Sequence, residues 1–394
     1  MTNKHIMRQF FKYFAASSIA LITTITLAVL TVILIVSLSA DEPFSVKSDS
    51  ILEIKFDFAL SETSNSSIEA GVNGINVSSV VGLDEFRATI NRAKEDSKIE
   101  GILLNLSSNL YSISTLKEAR DILKDFKTSG KFIITYSESL SQGSYYMASV
   151  SDEIYLYPEA NMEFLGLTAE MAFFKNAIEK LGIDVQIIRG SNNKFKSAVE
   201  PFMYEKMSDA NRKQVEQYIN SLWHNMLTDI GESRNLTERN LNQIADSLWA
   251  ITPTGAVEHG LIDGITYQDQ LDSILMVKTE IEEGDFNLIS FNKYRKAQEN
   301  KSKIRTTYHK GNVAVIYAVG GINSGKGDAS TIGSETLSKA IKEARENENV
   351  KAIVLRINSP GGSALASDVI WRELELTKGK KPLIVSMGDL AASG

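Results

Sequence analysis

The sequence predicts a duplicated α/β fold: two repeats of parallel sheet with flanking helices, preceded by one transmembrane helix. Three observations carry this. A charge-free apolar stretch lies near the amino terminus, a gapless internal repeat relates the two halves, and strand-type and helix-type segments alternate within each repeat. At 394 residues the chain has room for two domains of ordinary size, each with its own core.

The amino-terminal element comes first. From Tyr13 to Ala40 no residue is charged, and Ile19 to Val36 is almost wholly aliphatic or threonine. Such a stretch is long enough to cross about 30 Å of hydrocarbon. Lys4, Arg8 and Lys12 precede it and Asp41 and Glu42 follow, so the positive-inside bias puts the amino terminus in the cytoplasm and the body outside. A cleaved signal peptide, cut after the Ser37-Leu38-Ser39 stretch near Ala40, is the competing reading, but its apolar region spans about 7 to 15 residues. An uncleaved anchor is therefore expected.

The repeat follows. An offset of 251 residues carries GLDEFRATINRAKEDSKIEGILLNL at Gly82 onto GSETLSKAIKEARENENVKAIVLRI at Gly333. Phe86, Ile90 and Ala93 then match Leu337, Ile341 and Ala344, which share one face of an amphipathic helix. The apolar runs GILLNL and AIVLRI have buried-strand character, and KFIITYS at Lys131 matches PLIVSMG at Pro382. With ILEIKF at Ile51 and VAVIYAV at Val313 as first strands, each copy reads strand, helix, strand, helix, strand. That alternation predicts a parallel sheet with right-handed crossovers, whose reactive groups gather outside the carboxyl ends of the strands. The segments expected are 1–12 cytoplasmic, 13–40 anchor, 44–284 first repeat, 285–311 a polar, basic linker, and 312–394 an incomplete second repeat.

Composition narrows the chemistry. A net charge of −7 and the lack of a basic stripe interleaved with aromatics speak against nucleic acid. With no cysteine, thiol nucleophiles and disulfides are excluded. Of the four histidines, His5, His224, His259 and His309, none has metal-ligand spacing, so neither a metal nor another cofactor is expected.

The two copies differ where chemistry would sit. After its second strand the second copy has NSPGGS, Asn358 to Ser363, where the first has SSNLYS; after its third it has Ser393-Gly394, where the first has Gln142-Gly143. Copy one therefore reads as a structural partner and copy two as the holder of a nucleophile. Pro360-Gly361-Gly362 permits backbone shapes that free N–H groups for an oxyanion hole, and the N–H after the serine would be another donor. A turn and a helix start are the plainer readings of these two motifs. For the base, His224 sits in a predicted helix from Ser208 to Ile230 with Val215, Tyr218, Ile219 and Leu222 on its apolar face, and none of the histidines has an evident aspartate orienter. A Ser-His-Asp triad stays open on these grounds. The alternative is a neutral lysine, which needs a desolvated or cation-flanked setting; Lys196, in KFKSAVEPF, is flanked by Phe195, Ser197, Ala198 and Val199. A solvated loop lysine is the plainer reading there.

KSAVEPF around Lys196, INSPGGS at Ile357, SMG…AASG from Ser386 to Gly394 and GLIDGI at Gly260, with the duplication and the anchor, resemble the long form of the signal peptide peptidase A (protease IV) family. The resemblance covers essentially the whole chain after the anchor. It implies tandem Clp protease/crotonase-like repeats and a serine endopeptidase with Ser393 as nucleophile and Lys196 as general base, a dyad assembled from the two halves. It also implies oxyanion donation from Gly361, Gly362 and Gly394. Further implications are a homotetramer, anchored in the bacterial inner membrane with its body in the periplasm, that degrades released signal peptides and other peptides. Family members continue well beyond the nucleophile, so these 394 residues are expected to be part of a longer protein and inactive alone.

Three rival readings are set beside it. GGINSGKG, Gly320 to Gly327, nearly spells a phosphate loop, but Gly327 stands where a serine or threonine should bind magnesium, and the next helix is expected about eight residues later. A crotonase-like acyl-CoA enzyme would use a similar glycine turn without an anchor or a Ser/Lys pair. A catalytically inactive, membrane-tethered scaffold of the same fold is the third.

Overall fold

The computed structural model describes residues 3–38, 46–64, 66–71, 74–106, 112–190, 192–281, 286–299, 312–328 and 330–393. Helix α1, Asn3–Leu38, contains the apolar span Lys12–Thr31, none of which is buried against the rest of the chain. The hydroxyls of Thr23, Thr24, Thr26 and Thr31 donate to carbonyls four residues back, which removes the polar groups a lipid environment would penalise.

The first copy contains β1 (Ser50–Ile54), α2 (Leu83–Glu95), β2 (Ile99–Asn105), α3 (Ile113–Lys127), β3 (Phe132–Leu140), α4 (Gln142–Ala148) and β4 (Glu153–Met162). Further along come α5 (Asp209–Arg234), β5 (Gly264–Ile265) and β6 (Asn287–Ser290). The six strands form one all-parallel sheet in the order β5-β4-β3-β2-β1-β6. One face packs on α2, α3 and α4 through Phe86, Ile90, Ala119, Leu123 and Tyr145, all fully buried. The other packs on the helix Gln268–Lys278 through Leu271 and Leu275. Both faces are apolar because both are covered.

The second copy contains β7 (Asn312–Val319), α6 (Ser334–Glu346), β8 (Val350–Ser359), α7 (Ala364–Thr377) and β9 (Leu383–Ala391). Its parallel sheet runs β7-β8-β9, the counterpart of β1-β2-β3. The offset of 251 holds to the residue for α2 against α6 and for β3 against β9. The acceptors of a cap obey it too, although the donor lysine of the second copy sits one position short of it. Lys131 Nζ donates to Ala93 O and Asp96 O, and Lys381 Nζ donates to the equivalent Ala344 O and Asn347 O. Each ammonium thereby meets the carbonyl end of a helix, where a cation is favoured.

Two stretches differ from the expectation. Residues 287–297 fall within the expected linker, yet β6 pairs with β1 as the sheet edge, and Phe291 and Tyr294 are buried in the first core beside Phe58 and Phe86. The polar run hides two anchoring rings. Residues 300–311 lie outside the described residues. The expected apolar face of α5 also reads differently: Tyr218 is 64% exposed, and burial is concentrated at Met226, Leu227 and Ile230 toward the carboxyl end.

Candidate active site

The turn after β8 and the end of β9 meet. Gly361 has φ +92°, and a Cβ there would run into the backbone of Ser393 and lie 2.6 Å from Ala392 O, so glycine is required by both conformation and space. The Gly362 N–H donates to Ser393 O at 3.0 Å, and Ala392 N–H donates to Ser359 O at 3.0 Å. Ile322, on a short strand between β7 and α6, accepts from Ser363 N–H and donates to Gly361 O, both at 2.9 Å. Ser393 is thus seated against the Pro-Gly-Gly turn, as the motif pair suggests.

The donor set departs from the expectation. Gly361 N–H is taken by Ser359 Oγ at 3.0 Å, and Gly362 N–H by the Ser393 carbonyl. Both N–H groups expected to face an oxyanion are engaged within the chain, the first by the hydroxyl that ends β8 and the second by the backbone that follows β9. Gly394, the third expected donor, lies outside the described residues.

An apolar cleft of about 360 Å³ opens beside Ser393, lined by Leu337, Ile370, Trp371, Leu374 and Met387 among others. Copy one explains it. There the residue equivalent to Ser393, Gln142, opens α4, whose Tyr145, Tyr146, Met147 and Ala148 are buried against α3 residues equivalent to those lining the cleft.

Lys196 belongs to an excursion that leaves the sheet after β4 and returns at α5. Its root is held by Gln142, whose Oε1 accepts the N–H groups of Leu165 and Gly166 at 2.9 Å while Nε2 donates to Gly166 O at 2.9 Å. At the position where copy two carries Ser393, copy one therefore carries a clamp. Its return is held by Glu200, 2% exposed, which accepts from the Ser208 hydroxyl at 2.6 Å and Asn211 Nδ2 at 2.9 Å. Burial alone would raise the Glu200 pKa, but the bonds from Ser208 and Asn211 outweigh it and hold the carboxyl below its usual range. Arg189 closes the turn between, donating to Asn193 O and Lys196 O at 3.0 and 2.9 Å.

Lys196 itself is exposed, not desolvated as a neutral amine would require, and Phe195 beside it is 52% exposed. Among the described residues no hydrogen bond or ion pair joins Lys196 to Ser393. The expected dry pocket is missing because the excursion stands off its own sheet, with Leu181, Ile188 and Phe202 also exposed. Two of the histidines have other occupations, and His309 lies outside the described residues. His224 Nδ1 lies 3.1 Å from Glu238, a carboxylate partner the sequence did not reveal, on an exposed helix face, and the His259 ring stacks on Trp249 at 4.4 Å. The phosphate-loop reading also fails on geometry: Gly321–Asn323 is a strand paired with Thr331–Gly333, and the helix starts only at Ser334.

Residues 125–282 match the model described as Peptidase family S49. The chain is 33% identical over 338 residues to Protease 4 of Haemophilus influenzae and 33% over 320 residues to Protease 4 of Salmonella typhi. It is 31% identical over 323 residues to the chloroplastic serine protease SPPA of Arabidopsis thaliana. These matches cover 82%, 77% and 80% of this chain but 54%, 50% and 46% of those proteins, so the chain spans about half the length of the curated relatives it matches. Fold and matches together define the class as a serine peptidase family, S49, with tandem Clp/crotonase-like repeats. Within that class, the chain belongs to the signal peptide peptidase A (protease IV) family.

Proposed function

We propose that the protein is a membrane-anchored serine endopeptidase in which Ser393 is the nucleophile and Lys196 the general base, acting on released signal peptides and other peptides on the periplasmic face. The observation that carries this reading is the fit of Ser393 against a turn that only glycine can form there. Ser393 Oγ would attack the scissile carbonyl, Lys196 Nζ would take its proton and return it to the leaving amine, and backbone N–H groups of Gly362 and Gly394 would hold the oxyanion. For Gly362 this requires the Ser393 carbonyl to release that N–H. Lys196 must come from an arm with its own exposed apolar surface, and association of four copies is the assembly proposed to bury that surface and dry the amine. Helix α1 would hold the body at the membrane, with Lys4, Arg8 and Lys12 on the cytoplasmic side.

The engaged N–H groups and the exposed amine favour a second reading, an inactive tethered scaffold. Peptide hydrolysis by the full-length protein separates the two. Turnover abolished by Ser393→Ala supports the peptidase; absence of turnover, with no fluorophosphonate labelling at Ser393, supports the scaffold.

A further inference from the structure

The second copy is tied to the first at a point close to Ser393. Asp389, on β9 and four positions before the serine, accepts the Thr115 N–H with Oδ1 at 3.0 Å and the Thr115 hydroxyl with Oδ2 at 2.5 Å. Thr115 is the third residue of α3 and is buried, and Ser112, the helix's own N-cap residue, makes no side-chain cap. A carboxylate from the other copy thus does the work of an N-cap, at the helix end where negative charge is favoured. The contact is not part of the duplication, because the equivalent of Asp389 in copy one is Glu138, which is exposed.

A second contact grips the same helix one turn later. Arg356 on β8 donates to both carboxylate oxygens of Glu62 at 2.8 Å, to Glu118 of α3 at 2.9 Å and to Ser386 of β9 at 2.9 Å. Bidentate guanidinium pairs of this kind fix orientation as well as distance. Gly388 lets Glu62 approach, since a Cβ there would meet its carboxylate. From Asp389 the hold passes directly to the serine: Leu390 N–H is fixed by Asn358 Oδ1 at 3.1 Å and Ala392 N–H by Ser359 O at 3.0 Å.

We propose that Asp389 is a positioning residue through which helix α3 of the first copy sets the place of Ser393. This rests on the reading of Ser393 as nucleophile. Copy one, which has no serine of its own at that place, then contributes a rigid reference for the serine of copy two. A misplacement of about 1 Å at a reacting atom can cost about 100-fold in rate.

The test is the rate at which a fluorophosphonate labels Ser393 in the full chain, with amide exchange followed at the first turn of α3. Asp389→Ala is expected to slow labelling by about 10- to 100-fold, to lower kcat more than KM, and to speed exchange at that turn. Asp389→Asn keeps an acceptor for the Thr115 N–H and is expected to recover labelling to within about threefold. Thr115→Val loses the hydroxyl bond to a carboxylate and is expected to slow labelling by about 10-fold; it carries the test if Asp389→Ala does not fold. Faster exchange at α3 with labelling unchanged overturns the inference alone. Labelling that persists in Ser393→Ala overturns the nucleophile reading and the inference with it.

Discussion

Gly361→Ala isolates the contact on which the site is built. Two costs can be worked from the structure. At φ +92° an alanine pays of order 1–2 kcal/mol for a backbone shape that side chains avoid. Its Cβ would also lie 2.6 Å from Ala392 O, where an ordinary carbon–oxygen contact is about 3.3 Å, so the 392–393 peptide must retreat by at least about 0.7 Å, and Ser393 itself by more. Gly379→Ala is the control, because φ there is +74° but nothing lies within 4 Å of the new Cβ. It should lose about 1 kcal/mol of stability and leave the site alone. Fluorophosphonate labelling of Ser393 measures the difference. Gly361→Ala is expected to label about 100-fold more slowly, while Gly379→Ala labels normally and melts a few degrees lower. Labelling of Gly361→Ala within about threefold of the unsubstituted protein would refute the argument that this turn seats the serine.

Other expectations follow from the arm and its anchors. Glu200 has a folded pKa below its unfolded value, so its charged form favours folding above about pH 4.3, and that contribution is lost as pH falls through the folded pKa. Glu200→Gln is therefore expected to melt below the unsubstituted protein at neutral pH and to converge with it in acid; parallel thermal melts across pH would contradict this. Gln142→Ala leaves the Leu165 and Gly166 N–H groups without their acceptor and should expose 167–208 to limited proteolysis, read by mass spectrometry of the fragments. Arg120, fully buried, donates to Tyr146 O and Asp229 O and so binds α5 to α3 and α4. Arg120→Met should cost about 2 kcal/mol in denaturant titration, because the charge-assisted bonds to the Tyr146 and Asp229 carbonyls are lost.

Much of the architecture was legible because local sequence carried it. The matched faces of α2 and α6 and the apolar runs of β2 and β8 needed only periodicity, and the offset relates β3 to β9 to the residue. What was hidden depends on partners distant in the chain. The ring pair Phe291 and Tyr294 sits in a run read as linker because its surroundings are polar, and only the first core shows why they are there. Gln142 was visible as a missing serine, but its clamp on Leu165 and Gly166 exists only once the excursion folds back. Asp389 stands inside the motif that located Ser393; its partner Thr115 is 274 residues away, and no spacing rule reaches that far. Glu200, within the KSAVEPF motif, likewise shows its role only when α5 is in place. The exposure of Lys196 is the sharpest departure, since apolar neighbours in sequence supply dryness only if something covers them.

In the proposed mechanism an amine from copy one, Lys196, deprotonates a hydroxyl from copy two, Ser393. The direct measurement is labelling of Ser393 in the full-length protein beside its Lys196→Met variant, with and without a small primary amine in solution. The expected result is labelling slowed by about 100-fold or more in the variant and partly restored by the added amine, with the fold unchanged. Undiminished labelling of Ser393 in Lys196→Met would contradict the claim.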